Sequence, residues 1–198
     1  MTSTNHLEEL NTKTLLSRIL IPLTWLLFFC NVAILIYYYS DFPIWNYKDI
    51  FQINGFSIVI WTVVTFFSSI VQMYASNYMK GFKKKPKFLI LCLAFSLFVM
   101  LFVIANNVIL LVVFWLLMGL IMARLIGIDS EWKEAQYASQ FARYNYIAGT
   151  FFLALAVGVL GYRSGSYTVD GILASLYTIP QWISTVATLC IIISAIIQ

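Results

Sequence analysis

Residues 73–87 read MYASNYMKGFKKKPK and lead from one long apolar run of the chain into the next. Lysine stands at five of the last eight positions of this segment, namely 80, 83, 84, 85 and 87. Lysine and arginine accumulate in the cytoplasmic loops of membrane proteins. The segment therefore predicts a cytoplasmic loop between two membrane-spanning helices, and it fixes the direction in which the chain crosses the bilayer.

The composition of the whole chain agrees with insertion into a membrane. Of its 198 residues, 62% are hydrophobic and 10% are charged, and the mean hydropathy is +0.88. A soluble domain carries about a quarter charged residues, so this chain cannot cover a water-facing surface. The net charge of +4 does not indicate nucleic-acid binding. The basic residues lie between apolar runs, where they set topology or contact lipid headgroups.

Six apolar runs have nearly the length that a helix needs to cross about 30 Å of hydrocarbon. They fall near residues 15–39, 55–75, 87–105, 107–128, 147–162 and 178–198. Backbone amides in lipid must pair within their own segment, which requires helices. The sequence therefore predicts an all-α, polytopic integral membrane protein with about six transmembrane helices. Residues 1–14 are expected to form a cytoplasmic tail, and residues 15–198 a transmembrane domain whose first span is retained.

The distribution of basic residues predicts that both termini are cytoplasmic. With six spans and the N-terminus inside, most basic residues fall on or near the cytoplasmic side: Lys13, Arg18, Lys80, Lys83, Lys84, Lys85, Lys87, Arg124, Lys133 and Arg143. Lys48 and Arg163 then fall outside. The opposite threading inverts this bias, so the positive-inside rule decides the orientation. The expected location is a bacterial plasma membrane.

Residues 129–146 differ from the apolar runs on either side. Asp129 and Ser130 are good helix caps, and charged residues are then mixed with Trp132, Tyr137 and Phe141. This mixture indicates an amphipathic helix at the cytoplasmic interface that leads into the fifth span. A plain polar connector is the alternative.

The sequence contains no Gly-rich phosphate loop, no metal-ligand spacing and no nucleophile paired with a base. It therefore predicts no catalytic residue, no cofactor and no metal site, and it does not favour an enzyme. Ionisable residues inside a membrane are functional candidates, because each costs roughly 2.5–3.5 kcal/mol at the centre of the bilayer. Arg124 comes nearest to this condition. It lies about a turn from the cytoplasmic end of the fourth run, where it either snorkels to the interface or serves transport.

Three other residues are candidates for a transport or structural role. Arg143 is expected at the membrane interface. Asn107 belongs with Asn106 to the polar turn between the third and fourth runs, and it is expected to cap the fourth. Trp115 is expected to pack inside the fourth run, with ligand binding as the less common alternative.

Four blocks resemble the antiporter-like, proton-conducting subunits of NADH-quinone oxidoreductases, the NuoL-like superfamily. Asn54-Gly55-Phe56-Ser57 resembles the D-G-x-S that opens a family helix, and residues 74–81 resemble the Y-A-S-x-Y-M-x-G at its other end. Asn107 and Trp115 are similar to an N-x(7)-W pattern. Residues 138–165 resemble an A-x-K-A-F block that enters the following helix. The resemblance implies the same direction of membrane crossing that the lysine distribution predicts.

Two departures separate the chain from family members that pump protons. Those members have Glu directly after the tryptophan, where this chain has Leu116. They also have Lys in the A-x-K-A-F block, where this chain has Ser139, Gln140 or Phe141. The buried Glu–Lys pair that couples neighbouring half-channels is therefore missing. These departures, together with Arg124, make the chain look more like the DabB/MpsA-type membrane subunit of inorganic-carbon transporters.

Resemblance to that branch implies a function and partners. The chain would be the N-terminal part of a membrane subunit that takes up CO2 or bicarbonate at the expense of a cation gradient. A large DabA-like zinc subunit would be its partner. Family proteins continue past the helix that matches residues 178–198, so a separate chain is expected to supply a second repeat. Two alternatives stay open. One is an antiporter-like, proton-translocating subunit fragment of an NADH-quinone oxidoreductase or cation/proton antiporter complex, and the other is a membrane scaffold that transports nothing.

Overall fold

The computed structural model describes residues 2–38, 42–82 and 84–198, with side chains from residue 19 onward. These residues form seven helices and one short β-hairpin. The helices are α1 (Thr2–Tyr37), α2 (Gly55–Tyr78), α3 (Lys85–Ile104), α4 (Val108–Ile126), α5 (Lys133–Ser164), α6 (Val169–Ser175) and α7 (Gln181–Ile197). The strands, β1 (Trp45–Tyr47) and β2 (Phe51–Ile53), lie between α1 and α2 in the chain.

Five of these helices are long and apolar enough, by length and composition, to cross a membrane. They are the part of α1 from Ile19 to Tyr37, and then α2, α3, α4 and α5. α7 falls in the sixth predicted run and is a shorter apolar helix of 17 residues. The all-α, polytopic prediction is confirmed, and the chain is a multi-pass membrane protein. The prediction of about six spans compares with five long apolar helices and the shorter apolar helix α7 in the described residues.

α1, α2 and α3 as far as Met100 form one compact unit. α1 packs along α2. Leu20, Ala75 and Leu89, one from each of the three helices, are buried together in an apolar cluster. This cluster joins the three helices of the unit at one level of the bundle.

The β-hairpin, the last turn of α3 and the helices α4 to α7 form a second compact unit. α5 is central to this unit, because it packs against both α4 and α7. The apolar core consists of Val108, Ala156, Leu160, Ile172, Ile179, Ile183 and Ala187. Gly119 lets α4 and α5 approach closely, since a Cβ atom there would lie 2.8 Å from Cγ of Tyr146. Small residues at such contacts are typical of helix packing in membranes.

The β-hairpin is an element that the apolar pattern does not predict. β1 pairs antiparallel with β2. The turn residues Lys48 and Asp49 have φ angles of 50° and 56°, in the left-handed region that Asp tolerates better than most non-glycine residues. The Ile50 carbonyl accepts hydrogen bonds from the backbone N–H groups of Asn106, at 2.9 Å, and Asn107, at 3.2 Å. The hairpin therefore supports the turn that precedes α4.

Helix boundaries differ from the predicted ones at two places. Residues 2–14 of the predicted tail belong to α1, which is helical from Thr2, and residue 1 lies outside the described residues. In the predicted amphipathic segment, 129–146, the helix starts only at Lys133 and then runs without a break through Ser164. The expected caps are wrong, because Asp129 Oδ1 instead accepts a hydrogen bond from Glu131 N at 3.0 Å. That bond closes a turn before the helix. The location of the segment at the membrane interface stays a prediction.

Candidate functional site

The buried polar residues of the described part of the chain are uncharged. They are Thr24, Asn31, Ser57, Thr65, Ser69, Gln72, Ser96, Asn106, Thr150 and Ser194. In the same described residues, no three His, Cys, Asp or Glu side chains come together as possible metal ligands. A site inside these helices must therefore act through hydroxyl and amide groups.

A line of polar side chains follows one face of α2 and extends to α1 and α3. We call it the α2 polar line, and its members are Asn31, Thr65, Ser68, Ser69, Gln72 and Ser96. From α1, Asn31 Nδ2 donates a hydrogen bond to Thr65 Oγ1 at 3.3 Å. From α3, Ser96 Oγ donates to Ser68 Oγ at 2.8 Å. Gln72 Nε2 donates to the same Ser68 oxygen at 3.0 Å. The line thus connects all three helices of its unit.

Gln72 leaves one polar atom of this line without a partner. Its side chain is fully buried, with 0% exposed, and its Oε1 accepts no hydrogen bond. An unsatisfied buried acceptor costs about 1–3 kcal/mol, and such groups in native proteins call for an explanation. The spacing of Thr65, Ser68 and Gln72 places them on one helical face. That pattern is visible in the sequence, but the search for ionisable residues missed it.

Trp115 also buries a polar atom without a partner. Its ring lies against Phe102, with the ring centroids 5.1 Å apart. Its indole Nε1 is buried and donates no hydrogen bond. Leu116 follows it and is partly buried. Trp115 therefore combines a packing contact with a donor that is open to an additional acceptor.

Side chains of α5 satisfy carbonyl groups at the end of α4. Ser139 Oγ donates to the Ala123 carbonyl at 2.7 Å. Gln136 Nε2 donates to the carbonyls of Gly127, at 3.0 Å, and Asp129, at 2.7 Å. The Ala123 carbonyl also accepts from Gly127 N, at 3.2 Å, so Ser139 adds a second hydrogen bond to it. These contacts join the start of α5 to the end of α4.

The two candidate arginines are exposed. Arg124 lies in the last turn of α4, where a cation complements the helix dipole. The Arg143 guanidinium lies on α5, 5.8 Å from the centre of the Tyr144 ring. Exposure at a helix end favours snorkelling for Arg124, and a role of either arginine in transport stays a prediction.

Asn107 is the N-cap of α4. Its Oδ1 accepts hydrogen bonds from the backbone N–H groups of Ile109, at 2.9 Å, and Leu110, at 3.4 Å. The neighbouring Asn106 is buried and binds the start of α6, because its Oδ1 accepts from Asp170 N at 3.3 Å. Its Nδ2 donates to Asp170 Oδ2, also at 3.3 Å. Sequence reasoning missed this second contact.

The sequence-predicted residues do not converge on one pocket. Asn107, Trp115 and Arg124 are spread along α4 over about 25 Å at 1.5 Å per residue, and Arg143 lies on α5. Polar side chains from three helices meet in the α2 polar line, in the other unit. The α2 polar line is therefore the candidate site.

A family match covers this part of the chain. Residues 50–89 match the family described as "NADH-Ubiquinone oxidoreductase (complex I), chain 5 N-terminus". The matched segment contains all of α2 and therefore the central members of the α2 polar line, Thr65, Ser68, Ser69 and Gln72.

Three known proteins are similar to longer parts of the chain. A probable K(+)/H(+) antiporter subunit of Rhizobium meliloti (strain 1021) is 35% identical over 127 residues, which are 63% of this chain and 12% of that protein. An "NADH-ubiquinone oxidoreductase chain 5" of Allomyces macrogynus is 30% identical over 150 residues, 74% of this chain and 23% of that protein. The protein of the same name from Arabidopsis thaliana is 32% identical over 120 residues, which are 61% of this chain and 18% of that protein. The matched part spans less than a quarter of each of these relatives.

These matches support the assignment of the chain to the NuoL-like superfamily of antiporter-like membrane subunits. The relatives are named as subunits of an ion antiporter and of NADH-ubiquinone oxidoreductase. They support the antiporter-like, proton-translocating alternative better than the inorganic-carbon reading.

Proposed function

We propose that the chain is an ion-translocating membrane subunit of an antiporter-like complex that moves protons or alkali cations. The α2 polar line carries this proposal, because its central members, Thr65, Ser68, Ser69 and Gln72, lie in the helix that the family match covers. The proposal places the subunit in a bacterial plasma membrane, with both termini on the cytoplasmic side.

The chemistry of the α2 polar line suits transfer of ions rather than storage of protons. Hydroxyl groups both donate and accept hydrogen bonds, and the Gln72 amide oxygen has free accepting capacity. Such groups hydrogen-bond to water or replace part of the hydration shell of a cation. Because the described residues bury no titratable carboxylate, lysine or histidine, other subunits would supply the groups that take up and release protons.

Replacing Thr65 by Val or Gln72 by Leu is expected to slow translocation about 2- to 10-fold, since a lost hydrogen bond costs about 0.5–1.5 kcal/mol. The measurement is the rate of change of internal pH after a cation pulse, in liposomes that contain the complex. Thr185→Val is the matched control, because the Thr185 hydroxyl is exposed and bonds only the Gln181 carbonyl of its own helix, at 2.9 Å. Wild-type rates in both α2 variants would remove the α2 polar line from the transport path.

A second candidate function is uptake of inorganic carbon with a DabA-like zinc subunit. The observation that favours it is the apolar Leu116 after Trp115, with Arg124 later on the same helix. If this function holds, a large zinc-binding protein copurifies with the chain, and deletion of the gene abolishes bicarbonate uptake. Zinc-free preparations and unchanged uptake would reject it.

A further inference from the structure

An open groove lies on the exposed face of α2, near the C-terminal end of that helix. Its volume is about 520 Å³, and it is lined by Ile70, Met73, Tyr74, Asn77 and Tyr78, which we call the tyrosine groove. Tyr74 and Tyr78 are 66% and 77% exposed, and their rings stack with centroids 5.7 Å apart and planes at 13°. The stacked rings form an amphipathic wall of the groove.

Lysines lie directly beside this groove in the chain. Lys80 follows α2 by two residues, and Lys85 and Lys87 are in the first turn of α3. We call these three residues the basic cluster. Lys80 and Lys87 are exposed, and Lys85 is partly exposed.

Lys85 and Lys87 place positive charge at the N-terminus of α3, where it is unfavourable for the helix. The N-terminus of a helix carries the positive end of its dipole, and α3 has no acidic residue in its first turn. A bound anion reverses this situation, because it is attracted both by the lysines and by the helix N-terminus. The local electrostatics therefore select an anionic ligand.

We propose that the basic cluster and the tyrosine groove together bind one anionic phospholipid. The headgroup phosphate lies at the basic cluster, and an acyl chain lies along the tyrosine groove, which covers about 12 Å of helix from residue 70 to residue 78. Basic clusters at the ends of membrane helices attract anionic headgroups, and tyrosine is enriched at the level of the headgroups. This site is separate from the α2 polar line and does not depend on ion translocation.

The test measures lipid retention on the full chain. The protein is purified in mild detergent, exposed to mixed micelles of phosphatidylglycerol and phosphatidylcholine, and analysed by native mass spectrometry. We expect one phosphatidylglycerol to be retained in preference to phosphatidylcholine. Replacing Lys80, Lys85 and Lys87 together by glutamine is expected to remove that preference. Each lysine that is removed should lower the affinity for phosphatidylglycerol about fivefold. Equal retention of the two lipids by the wild-type protein would overturn the proposal.

Two variants and one control separate the binding of lipid from effects on insertion. Replacing the same three lysines by arginine keeps the charge, and the preference should survive. Asn77→Trp fills the tyrosine groove while leaving every lysine in place, and it should reduce retention. Lys133→Gln removes a charge elsewhere and should change nothing. If the glutamine variant keeps its phosphatidylglycerol but loses a partner subunit of the complex, the basic cluster binds an acidic protein segment and the lipid proposal is wrong.

Discussion

Gln72 and Trp115 each have one buried polar atom without a partner, and the two atoms need different partners. Gln72 Oε1 lacks a donor, whereas Trp115 Nε1 lacks an acceptor. Gln72 lies in the first compact unit and Trp115 in the second. For Gln72 we propose water or a transported ion as the donor. For Trp115 the described residues supply no acceptor.

The unpaired indole of Trp115 leads to a stability prediction. Trp61 Nε1 donates to the Met100 carbonyl at 2.9 Å, whereas Trp115 Nε1 donates to nothing. Trp61→Phe therefore loses a hydrogen bond that Trp115→Phe does not. We expect Trp61→Phe to reduce the free energy of unfolding by about 0.5–1.5 kcal/mol more than Trp115→Phe. Thermal unfolding in detergent measures the difference, and equal losses would show that the Trp115 N–H has a partner.

Local contacts of single residues could be predicted from the sequence, and distant ones could not. Asn107 was expected to cap α4, because a cap bonds N–H groups two or three positions further on. Asn106 and Asp170 are 64 positions apart, and Asn31 and Thr65 are 34 apart. No periodicity brings such pairs together. The candidate site was therefore missed, although the polar spacing within α2 was visible.

Among the elements, the long helices were predicted and the short elements were not. A membrane helix must pair its backbone N–H and C=O groups within its own segment, so an apolar run of sufficient length is enough to predict it. The hairpin strands have three residues each, and α6 has seven. Both are held by the α3–α4 turn, through the Ile50 carbonyl and through Asn106. Their stability comes from neighbours that the sequence pattern does not identify.

The close contact between α4 and α5 predicts that alanine has different effects at Gly119 and at Gly158. A Cβ atom on Gly119 would lie 2.8 Å from Cγ of Tyr146, whereas a Cβ atom on Gly158 would meet nothing within 4 Å. We expect Gly119→Ala to lower the free energy of unfolding by about 1–3 kcal/mol, because the helices must separate. Gly158→Ala should be neutral or stabilising, since alanine favours a helix. A Gly119→Ala protein as stable as the Gly158→Ala control would contradict the close packing.

For the whole molecule, the side of the membrane on which the C-terminus lies depends on whether α7 crosses the bilayer. The 17 residues of α7 in this chain already give about 26 Å of helix, most of the roughly 30 Å of hydrocarbon. We therefore expect six crossings, with both termini cytoplasmic. Topology reporters at the two termini test this, and a reporter in the Lys48–Asp49 turn is the control for the opposite side. A C-terminal reporter on the outer side would show that α7 does not cross.

The unbroken course of α5 has a mechanical consequence. Its 32 residues make a rod of about 48 Å, which exceeds the hydrocarbon thickness of about 30 Å by roughly three turns. Near its start this helix is bonded to the end of α4, where Gln136 Nε2 donates to the Gly127 carbonyl at 3.0 Å. Further along it is bonded to α7, where Ser194 Oγ donates to the Gly149 carbonyl at 2.7 Å. Because one unbroken helix carries both contacts, we expect a displacement at one of them to move the other.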